Sequence, residues 1–288
     1  MTRVFGVMGF PISHSLSPVM HNVALQALDL DALYAPFEVP PHHLGKVLWG
    51  LHAAGVEGLN ITVPHKEHIL RYLRRADVTA QAWALGAVNT LVRRGGRFVA
   101  YNTDVEGFRR ALAEELCVDC RNQRVLLLGA GGAARAVGRA LVSMRPRAIY
   151  VANRTATKTA RLVRWLQQCS PSGTIEAVVF DREGLAELLP RIELLINATS
   201  LGLRASDPLP VDPATIHKRL VVFDLVYRAP TTSLVQTARR RGALAVDGLA
   251  MLVYQGAESF RLWWRREPPI AVMRRAVEHA LRKNVHSP

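Results

Sequence analysis

Short apolar runs alternate along the chain with longer stretches in which apolar side chains recur at helical spacing. In the first third this pattern predicts five strands: Val4–Met8, Leu33–Glu38, Leu59–Val63, Val88–Val92 and Phe98–Tyr101. It predicts helices between them, including Pro18–Leu28, with Ser17 as N-cap, and His43–Ala53. Strands that alternate with helices favour an α/β fold with largely parallel sheets.

A second series follows a helix predicted at Val105–Glu115 and a polar stretch at Val118–Gln123, near which we place a domain boundary. Its predicted strands are Arg124–Leu128, Ala148–Asn153, Ile175–Val179, Leu194–Asn197, Leu220–Asp224 and Leu244–Val246. Its predicted helices are Ala133–Ser143 and Thr157–Gln168, and two more, Met251–Trp264 and Ile270–Lys283, end the chain. Two α/β domains are therefore expected.

Composition fits this organisation, because 288 residues with 49% hydrophobic and 21% charged side chains suffice for two domains with ordinary cores. No apolar run reaches the roughly 18 residues that span a bilayer, so no membrane association is expected. The first residues lack a signal-peptide pattern.

Three cysteines, an odd count, indicate reduced thiols and a cytoplasmic location. Cys117 and Cys120 lack the partners that a metal site would need.

The net charge of +14 allows two interpretations. A nucleic-acid surface would interleave basic and aromatic side chains, whereas here the basic residues are dispersed along helical stretches. We therefore favour solvated helix faces, and no nucleic-acid partner is expected. A basic surface would also attract a substrate carboxylate and a cofactor with several phosphates.

A glycine-rich turn after an apolar strand predicts a dinucleotide site. Gly129, Gly131 and Ala134 form a G-x-G-x-x-A pattern between the strand at Arg124–Leu128 and a helix. Glycines allow a tight turn and let backbone N–H groups approach a pyrophosphate at the helix N-terminus. The surrounding strand–turn–helix order makes this pattern more specific than glycines alone.

The end of the next strand favours NADP over NAD. A site for NAD usually places Asp or Glu there to bind the ribose 2′-hydroxyl, and Asn153–Lys158 contains neither. Arg154 can form a forked contact with a 2′-phosphate, and Lys158 adds a second positive charge. The alternative is that both are ordinary surface cations.

Four polar clusters lie at the ends of predicted strands in the first third of the chain, at Gly9–Pro18, Gly58–Lys66, Gly86–Thr90 and Tyr101–Asp104. Ligands of open α/β sheets gather at the carboxyl ends of strands. Hydroxyls, amides, one lysine and one aspartate brought together there would suit a small polyhydroxylated acid.

These clusters, together with four later segments, resemble the shikimate dehydrogenase family along nearly the whole chain. The matching segments include His14–Asn22, Asn197–Gly202, Asp224–Tyr227, Gly248–Leu252 and Gln255–Gly256. The resemblance implies reversible, NADPH-dependent reduction of 3-dehydroshikimate to shikimate, in aromatic amino acid biosynthesis. It also implies a substrate-binding domain at residues 1–105, completed by helices in 248–288, and a Rossmann-like NADP-binding domain at 106–247.

The resemblance also assigns roles to single residues. The catalytic pair would be Lys66 and Asp104. The substrate carboxylate would be bound by Ser15, Ser17 and Tyr227, and the ring hydroxyls would be bound or supported by Asn60, Thr62, Asn89 and Gln255. The cofactor would be bound by Gly129, Ala130, Gly131, Gly132, Ala133, Asn153, Arg154, Thr155, Lys158, Thr199, Ser200, Leu225, Gly248 and Met251.

The chemistry suits those residue types. Hydride transfer to a ketone leaves negative charge on its oxygen, so a cation or proton donor must lie beside it. Lys66 would supply the ammonium, and Asp104 would keep it charged and oriented. Whether Lys66 transfers the proton or only stabilises charge is left open. The alternative is a surface salt bridge, which contributes little.

Two rival functions are disfavoured by particular residues. A quinate/shikimate dehydrogenase that uses NAD is disfavoured by Ser17, where quinate users often have Thr, and by the missing acidic residue. A non-catalytic ligand-binding paralogue is disfavoured because Lys66 and Asp104 are both present.

Val105 follows Asp104 where the family often has Gly, so the presentation of Asp104 could differ. His14, His21 and His65 are interpreted as structural residues, and no metal is expected. We expect the chain to form a homodimer.

Overall fold

The computed structural model of the chain describes residues 2–170 and 173–285. The chain forms two compact units. The first contains the chain up to Gly107 together with Val253–Lys283, and the second contains Phe108–Leu252. These divisions lie two and five residues from the predicted ones, inside the helices α5 (Asp104–Leu116) and α10 (Leu249–Trp264).

The first unit contains a five-stranded sheet. Its strands are β1 (Arg3–Gly9), β2 (Ala32–Glu38), β3 (Gly58–Ile61), β4 (Thr90–Arg94) and β5 (Arg97–Tyr101), in the order β2-β1-β3-β4-β5. β1 pairs in parallel with β2 and β3, whereas β4 is antiparallel to both β3 and β5. The amino end of β4 therefore lies at the same sheet edge as the carboxyl ends of β3 and β5.

This edge explains why the polar clusters come together. In the register, Asn60 of β3 is opposite Thr90 of β4, and Thr90 is opposite Tyr101 of β5. The structure thus differs from the prediction for β4, which begins at Thr90 rather than at Val88. Val88 lies outside the ladder because its N–H donates to the carbonyl of Lys66, at 2.8 Å.

The helices of the first unit are α1 (Ser17–Ala27), α2 (Leu44–Ala53), α3 (His65–His68), α4 (Ala80–Leu85), the start of α5, most of α10, and α11 (Ile270–Val285). Leu48 and Leu59 belong to the buried core of this unit. The prediction of Ser17 as N-cap was wrong. The backbone is already helical in φ and ψ at Leu16, which is the N-cap, and Ser15 Oγ accepts a hydrogen bond from Ser17 N–H at 3.3 Å.

The second unit contains a six-stranded parallel sheet. Its strands are β6 (Arg124–Leu128), β7 (Ala148–Ala152), β8 (Thr174–Val178), β9 (Leu194–Asn197), β10 (Val221–Asp224) and β11 (Leu244–Val246), in the order β11-β10-β9-β6-β7-β8. The helices are α6 (Gly132–Met144), α7 (Ala156–Cys169), α8 (Arg182–Leu188) and α9 (Ser233–Arg240). This is the doubly wound, Rossmann-like order, and it confirms the predicted fold class.

The centre of that sheet is apolar because helices cover parallel sheets on both faces. Val125 to Leu128 of β6 are all fully buried. β6 pairs with β7 on one side and with β9 on the other, so the turn after β6 lies at the point where the strand order reverses. Among the described residues, no helix is long and apolar enough to cross a membrane.

Candidate functional site

Lys66 and Asp104 form an ion pair in the first unit. Lys66 belongs to the short helix α3, which follows β3, and its Nζ lies 2.7 Å from Asp104 Oδ2. The Asp104 side chain is 7% exposed and the Lys66 side chain 24%. The pair therefore differs from a fully exposed salt bridge, because the carboxylate is shielded while part of the lysine side chain stays accessible.

The position of Asp104 is fixed by two asparagines. Asn102 Oδ1 accepts a hydrogen bond from Asp104 N–H at 3.0 Å, and Asn89 Nδ2 donates to Asp104 Oδ1 at 2.9 Å. Asp104 is also the first residue of α5, where the helix dipole favours a negative charge. Val105 therefore does not prevent Asp104 from reaching Lys66.

Behind this pair lies a buried network of hydrogen bonds. Asn89 Oδ1 accepts from Thr103 N–H at 2.7 Å, and Asn60 Nδ2 donates to Ser259 Oγ at 2.9 Å. Tyr34 Oη donates to Asn60 Oδ1 at 2.8 Å. Both polar ends of the Asn60 side chain are thus bonded within the protein, so Asn60 supports neighbouring residues in this structure.

The remaining predicted substrate residues are divided between the two units. Ser17 is buried, while Ser15, Thr62 and Gln255 are half-buried in the first unit. Gln255 Oε1 accepts from Asn89 Nδ2 at 3.4 Å. Tyr227 lies in the second unit, after β10, and burial raises the pKa of its phenol.

Two histidines in the first unit are structural. His65 is buried and its Nε2 lies 2.7 Å from the carbonyl oxygen of Val39. The His21 ring stacks on Tyr34 with a centroid separation of 4.4 Å, and burial lowers the pKa of His21 to about 3. Burial therefore keeps His21 neutral at physiological pH. In residues 2–170 and 173–285, no group of three or more His, Cys, Asp and Glu side chains could hold a metal ion.

A pocket of about 570 Å³ lies in the second unit. Its lining includes most of the predicted cofactor residues, namely Gly129, Ala130, Gly131, Asn153, Arg154, Thr155, Lys158, Thr199 and Ser200. It also includes residues that the sequence did not identify, among them Phe180, Leu203, Arg204 and Asp207. Gly132, Ala133, Leu225, Gly248 and Met251 are not part of its lining.

The glycine turn fits a dinucleotide pyrophosphate. Gly129 has φ +109°, and a Cβ there would lie 2.7 Å from the carbonyl oxygen of Ala198, so a side chain is excluded. A Cβ on Gly131 would have no atom within 4 Å, which leaves space beside the start of α6. Among the described residues no side chain caps α6, so its first N–H groups can bind a phosphate.

Arg154 and Lys158 form the cationic end of the pocket. Both side chains are exposed, and they lie just after β7 and in the first turn of α7. Asn153 Nδ2 donates to the carbonyl of Thr155 at 3.2 Å, which shapes the turn between these elements. Two cations at this position suit the 2′-phosphate that distinguishes NADP from NAD.

The opposite wall is held by Asn197 and Asp224. Asn197 Oδ1 accepts from Thr199 Oγ1 at 2.7 Å, while Asn197 Nδ2 donates to Asp224 Oδ1 at 2.8 Å. Burial raises the pKa of Asp224 to about 6, although hydrogen bonds from Thr232, Val226 and Asn197 oppose this effect. Gly248 packs directly on Leu225, since a Cβ there would lie 2.0 Å from the Leu225 carbonyl oxygen.

Family models match three parts of the chain. The shikimate dehydrogenase substrate binding domain matches residues 7–91, the shikimate / quinate 5-dehydrogenase domain residues 111–235, and the shikimate 5′-dehydrogenase C-terminal domain residues 248–278. A shikimate dehydrogenase (NADP⁺) from Thermococcus kodakarensis is 44% identical over 96% of each chain. The chain belongs to the shikimate dehydrogenase family.

Solved structures agree with this shikimate dehydrogenase assignment. The enzyme from Thermus thermophilus, in complex with NADP(H) and shikimate, is 34% identical, covers 97% of this chain and 100% of its own, and has a TM-score of 0.85. Quinate dehydrogenase from Corynebacterium glutamicum, in complex with NAD, is 29% identical, covers 96% and 99%, and has a TM-score of 0.88. The same fold therefore occurs in a shikimate dehydrogenase bound to NADP(H) and in a quinate dehydrogenase bound to NAD.

Proposed function

We propose that this chain is an NADP-dependent shikimate dehydrogenase that reversibly reduces 3-dehydroshikimate to shikimate, within aromatic amino acid biosynthesis. The observation that carries the proposal is the ion pair between Lys66 Nζ and Asp104 Oδ2 at 2.7 Å. The relative from Thermococcus kodakarensis bears this name, and the one from Thermus thermophilus binds NADP(H) and shikimate. The second unit of the chain adds a pocket with a glycine turn and two cations that suit NADP.

Lys66 and Asp104 are the proposed catalytic residues. NADPH, when bound, would supply the hydride. The ketone oxygen gains negative charge during reduction, and the Lys66 ammonium can stabilise that charge or donate a proton to it. Asp104 accepts from Lys66 and from Asn89, so it would hold the ammonium in one position.

The polar side chains predicted from the sequence are the proposed substrate ligands. The hydroxyls of Ser15, Ser17 and Tyr227 would bind the carboxylate, as expected from the sequence. Thr62, Asn89 and Gln255 would bind ring hydroxyls or position the residues that do. Asn60 would act indirectly, because its hydrogen bonds to Tyr34 and Ser259 engage its own polar atoms.

The proposed cofactor residues fall into three groups. Gly129 to Ala133 would bind the pyrophosphate, and Asn153, Arg154, Thr155 and Lys158 would bind the adenosine 2′-phosphate. The nicotinamide side would be lined by Thr199, Ser200, Leu225, Gly248 and Met251. Rossmann-like folds bind the pyrophosphate of a dinucleotide at the N-terminus of the helix that follows the glycine turn. In this chain that helix is α6.

Location and assembly stay predictions. The three cysteines are unpaired, which supports a reducing, cytoplasmic location. Sedimentation of the purified chain would test the expected homodimer, and a salt-dependent gel shift would contradict the expectation that nucleic acid is not a partner.

An assay of nicotinamide absorbance tests the proposed function. The purified chain would be offered shikimate or quinate, each with NADP⁺ or NAD⁺. We expect turnover with shikimate and NADP⁺ to exceed the other three combinations. Faster turnover of quinate with NAD⁺ would favour the quinate dehydrogenase alternative, and binding without turnover would favour the non-catalytic paralogue.

A further inference from the structure

The dinucleotide pocket contains a third cation that the sequence did not identify. Arg204 lines the pocket together with Arg154 and Lys158. Arg154 and Lys158 follow β7, whereas Arg204 belongs to residues 198–207, which follow β9 and are called the β9 loop below. Positive charge is therefore present on two walls of the same pocket.

The β9 loop is held by hydrogen bonds to its own backbone. Thr199 N–H donates to Asn197 Oδ1 at 3.1 Å, and Leu201 N–H donates to Thr199 Oγ1 at 3.1 Å. Asp207 Oδ2 accepts from the N–H groups of Gly202 and Arg204, each at 3.0 Å. The backbone from which the Arg204 side chain extends is thus fixed in position.

Asp207 also lines the pocket, although a carboxylate would repel a phosphate. The Asp207 carboxylate is compatible with a phosphate-binding pocket because it accepts hydrogen bonds from the loop backbone. The hydrogen bonds from Arg204 and Gly202 N–H, together with the nearby charges of Arg204 and Arg228, lower the pKa of Asp207. The aspartate therefore stays ionised as a loop anchor, and the positive side chain nearest in sequence is Arg204.

The Arg204 guanidinium is available to a ligand. The residue is exposed, and within the described parts of the chain its side chain takes part in no ion pair or hydrogen bond. Other arginines of the same unit have acidic partners, such as Arg124 with Glu193 and Arg182 with Asp212. An unpaired arginine beside a pocket is a good phosphate ligand because its planar fork can donate two hydrogen bonds at once.

The sheet order indicates which phosphate Arg204 meets. β9 and β7 pair with opposite edges of β6, so the β9 loop and the Arg154 turn lie on opposite sides of the glycine turn. The β9 loop adjoins the glycine turn directly, since a Cβ on Gly129 would lie 2.7 Å from the Ala198 carbonyl oxygen. The pyrophosphate belongs at that turn, and the 2′-phosphate belongs beyond β7.

We propose that Arg204 binds the pyrophosphate of the dinucleotide, across from the two cations that would bind its 2′-phosphate. The proposal rests on the NADP-dependent function proposed above. Arg204 would then raise the affinity for NADP and for NAD alike, because both carry the pyrophosphate. Arg154 and Lys158 would instead discriminate between the two cofactors.

Calorimetric titration of the full chain tests this proposal without turnover. The ligands are NADP⁺, NAD⁺ and 2′-AMP, which carries a 2′-phosphate but no pyrophosphate. For Arg204→Ala we expect the Kd of NADP⁺ and of NAD⁺ to rise by the same factor, about tenfold, with the Kd of 2′-AMP unchanged. Arg219→Ala, an exposed arginine of the same unit outside the pocket lining, is the matched control and should leave all three values unchanged.

The contrary results are distinguishable from one another. Unchanged dinucleotide affinity in Arg204→Ala would overturn the proposal for Arg204 while leaving the proposed function intact. A loss confined to NADP⁺ and 2′-AMP would move Arg204 to the 2′-phosphate and would also overturn it. If the wild-type chain bound neither dinucleotide, the proposed function would fail together with this inference.

Discussion

The ion pair between Lys66 and Asp104 is backed by a buried network whose members come from distant parts of the chain. The pairing was expected, and the structure brings the two groups to 2.7 Å. The buried support behind the pair was not expected, because Ser259 reaches Asn60 across 199 positions of the chain. No local pattern encodes such a contact, although Ser259 does lie one helical turn after Gln255 on an otherwise apolar helix face.

Arg154 gives a prediction about cofactor choice at the scale of one side chain. Replacing it with alanine removes a forked donor beside the position proposed for the 2′-phosphate. We expect Arg154→Ala to raise the KM for NADP⁺ at least about tenfold more than the KM for NAD⁺. Steady-state kinetics with both cofactors measures this, and equal increases for the two cofactors would remove the argument for NADP.

Asp224 gives a prediction about pH. Its pKa rises from 3.8 to about 6 on folding because the carboxylate is buried, so the folded chain binds this proton more tightly than the unfolded chain does. A raised carboxyl pKa contributes stability below pH 3.8 that is lost as pH rises through about 6. The difference corresponds to on the order of 3 kcal/mol.

Asp224→Asn should remove that pH dependence. The amide keeps the size of the carboxylate and one acceptor oxygen, but it does not titrate. As the pH rises from 4 to 6, we expect the free energy of unfolding of the wild type to fall by about 3 kcal/mol relative to that of the variant. Urea unfolding at several pH values measures it. A difference that stays constant across this range would contradict the assigned ionisation.

At the scale of elements, the sequence predicts the strands and the long helices but not the short helices. All eleven strands in the described part of the chain were predicted within about two residues of their observed ends. The helices α3, α4, α8 and α9 were not predicted, because stretches of four to eight residues show too little helical periodicity. The antiparallel direction of β4 depends on pairing rather than on local pattern, and it brings Asn89 to the site.

The helix α10 gives a stability prediction at this scale. Ser259 is fully buried and joins α10 to Asn60 of β3 and to Thr90 of β4, at 2.9 and 2.8 Å. Ser259→Ala would remove a buried hydrogen bond from Asn60 and another from Thr90, so we expect the free energy of unfolding to fall by about 1–3 kcal/mol in urea unfolding.

Ser143→Ala is the matched control for this change. Ser143 is an exposed serine, and its hydroxyl donates within its own helix, to the carbonyl of Ala140 at 2.6 Å. Its removal should alter the free energy of unfolding by less than about 0.5 kcal/mol. Equal losses for the two serines would show that Ser259 does not connect the elements as described.

At the scale of the whole molecule, the alternation of strands and helices was enough to predict an α/β fold with two sheets, and the structure contains both sheets. The dinucleotide pocket was predicted because its glycine turn and its cations are each local in sequence. Arg204 was missed because no motif marks a loop cation, and only the course of the β9 loop places it beside the pocket. Motif reasoning therefore supplied the residues of both proposed sites but did not identify Ser259 or Arg204.

The central claim is that Lys66 and Asp104 act together in turnover, and a double-mutant cycle tests it most directly. The kcat for shikimate would be measured for Lys66→Ala, Asp104→Ala and the double variant, with substrate binding followed separately. We expect each single change to lower kcat about a hundredfold or more while substrate still binds, and the double change to lower it little further. Losses that multiply in the double variant, or a Lys66→Ala variant altered only in KM, would contradict the account.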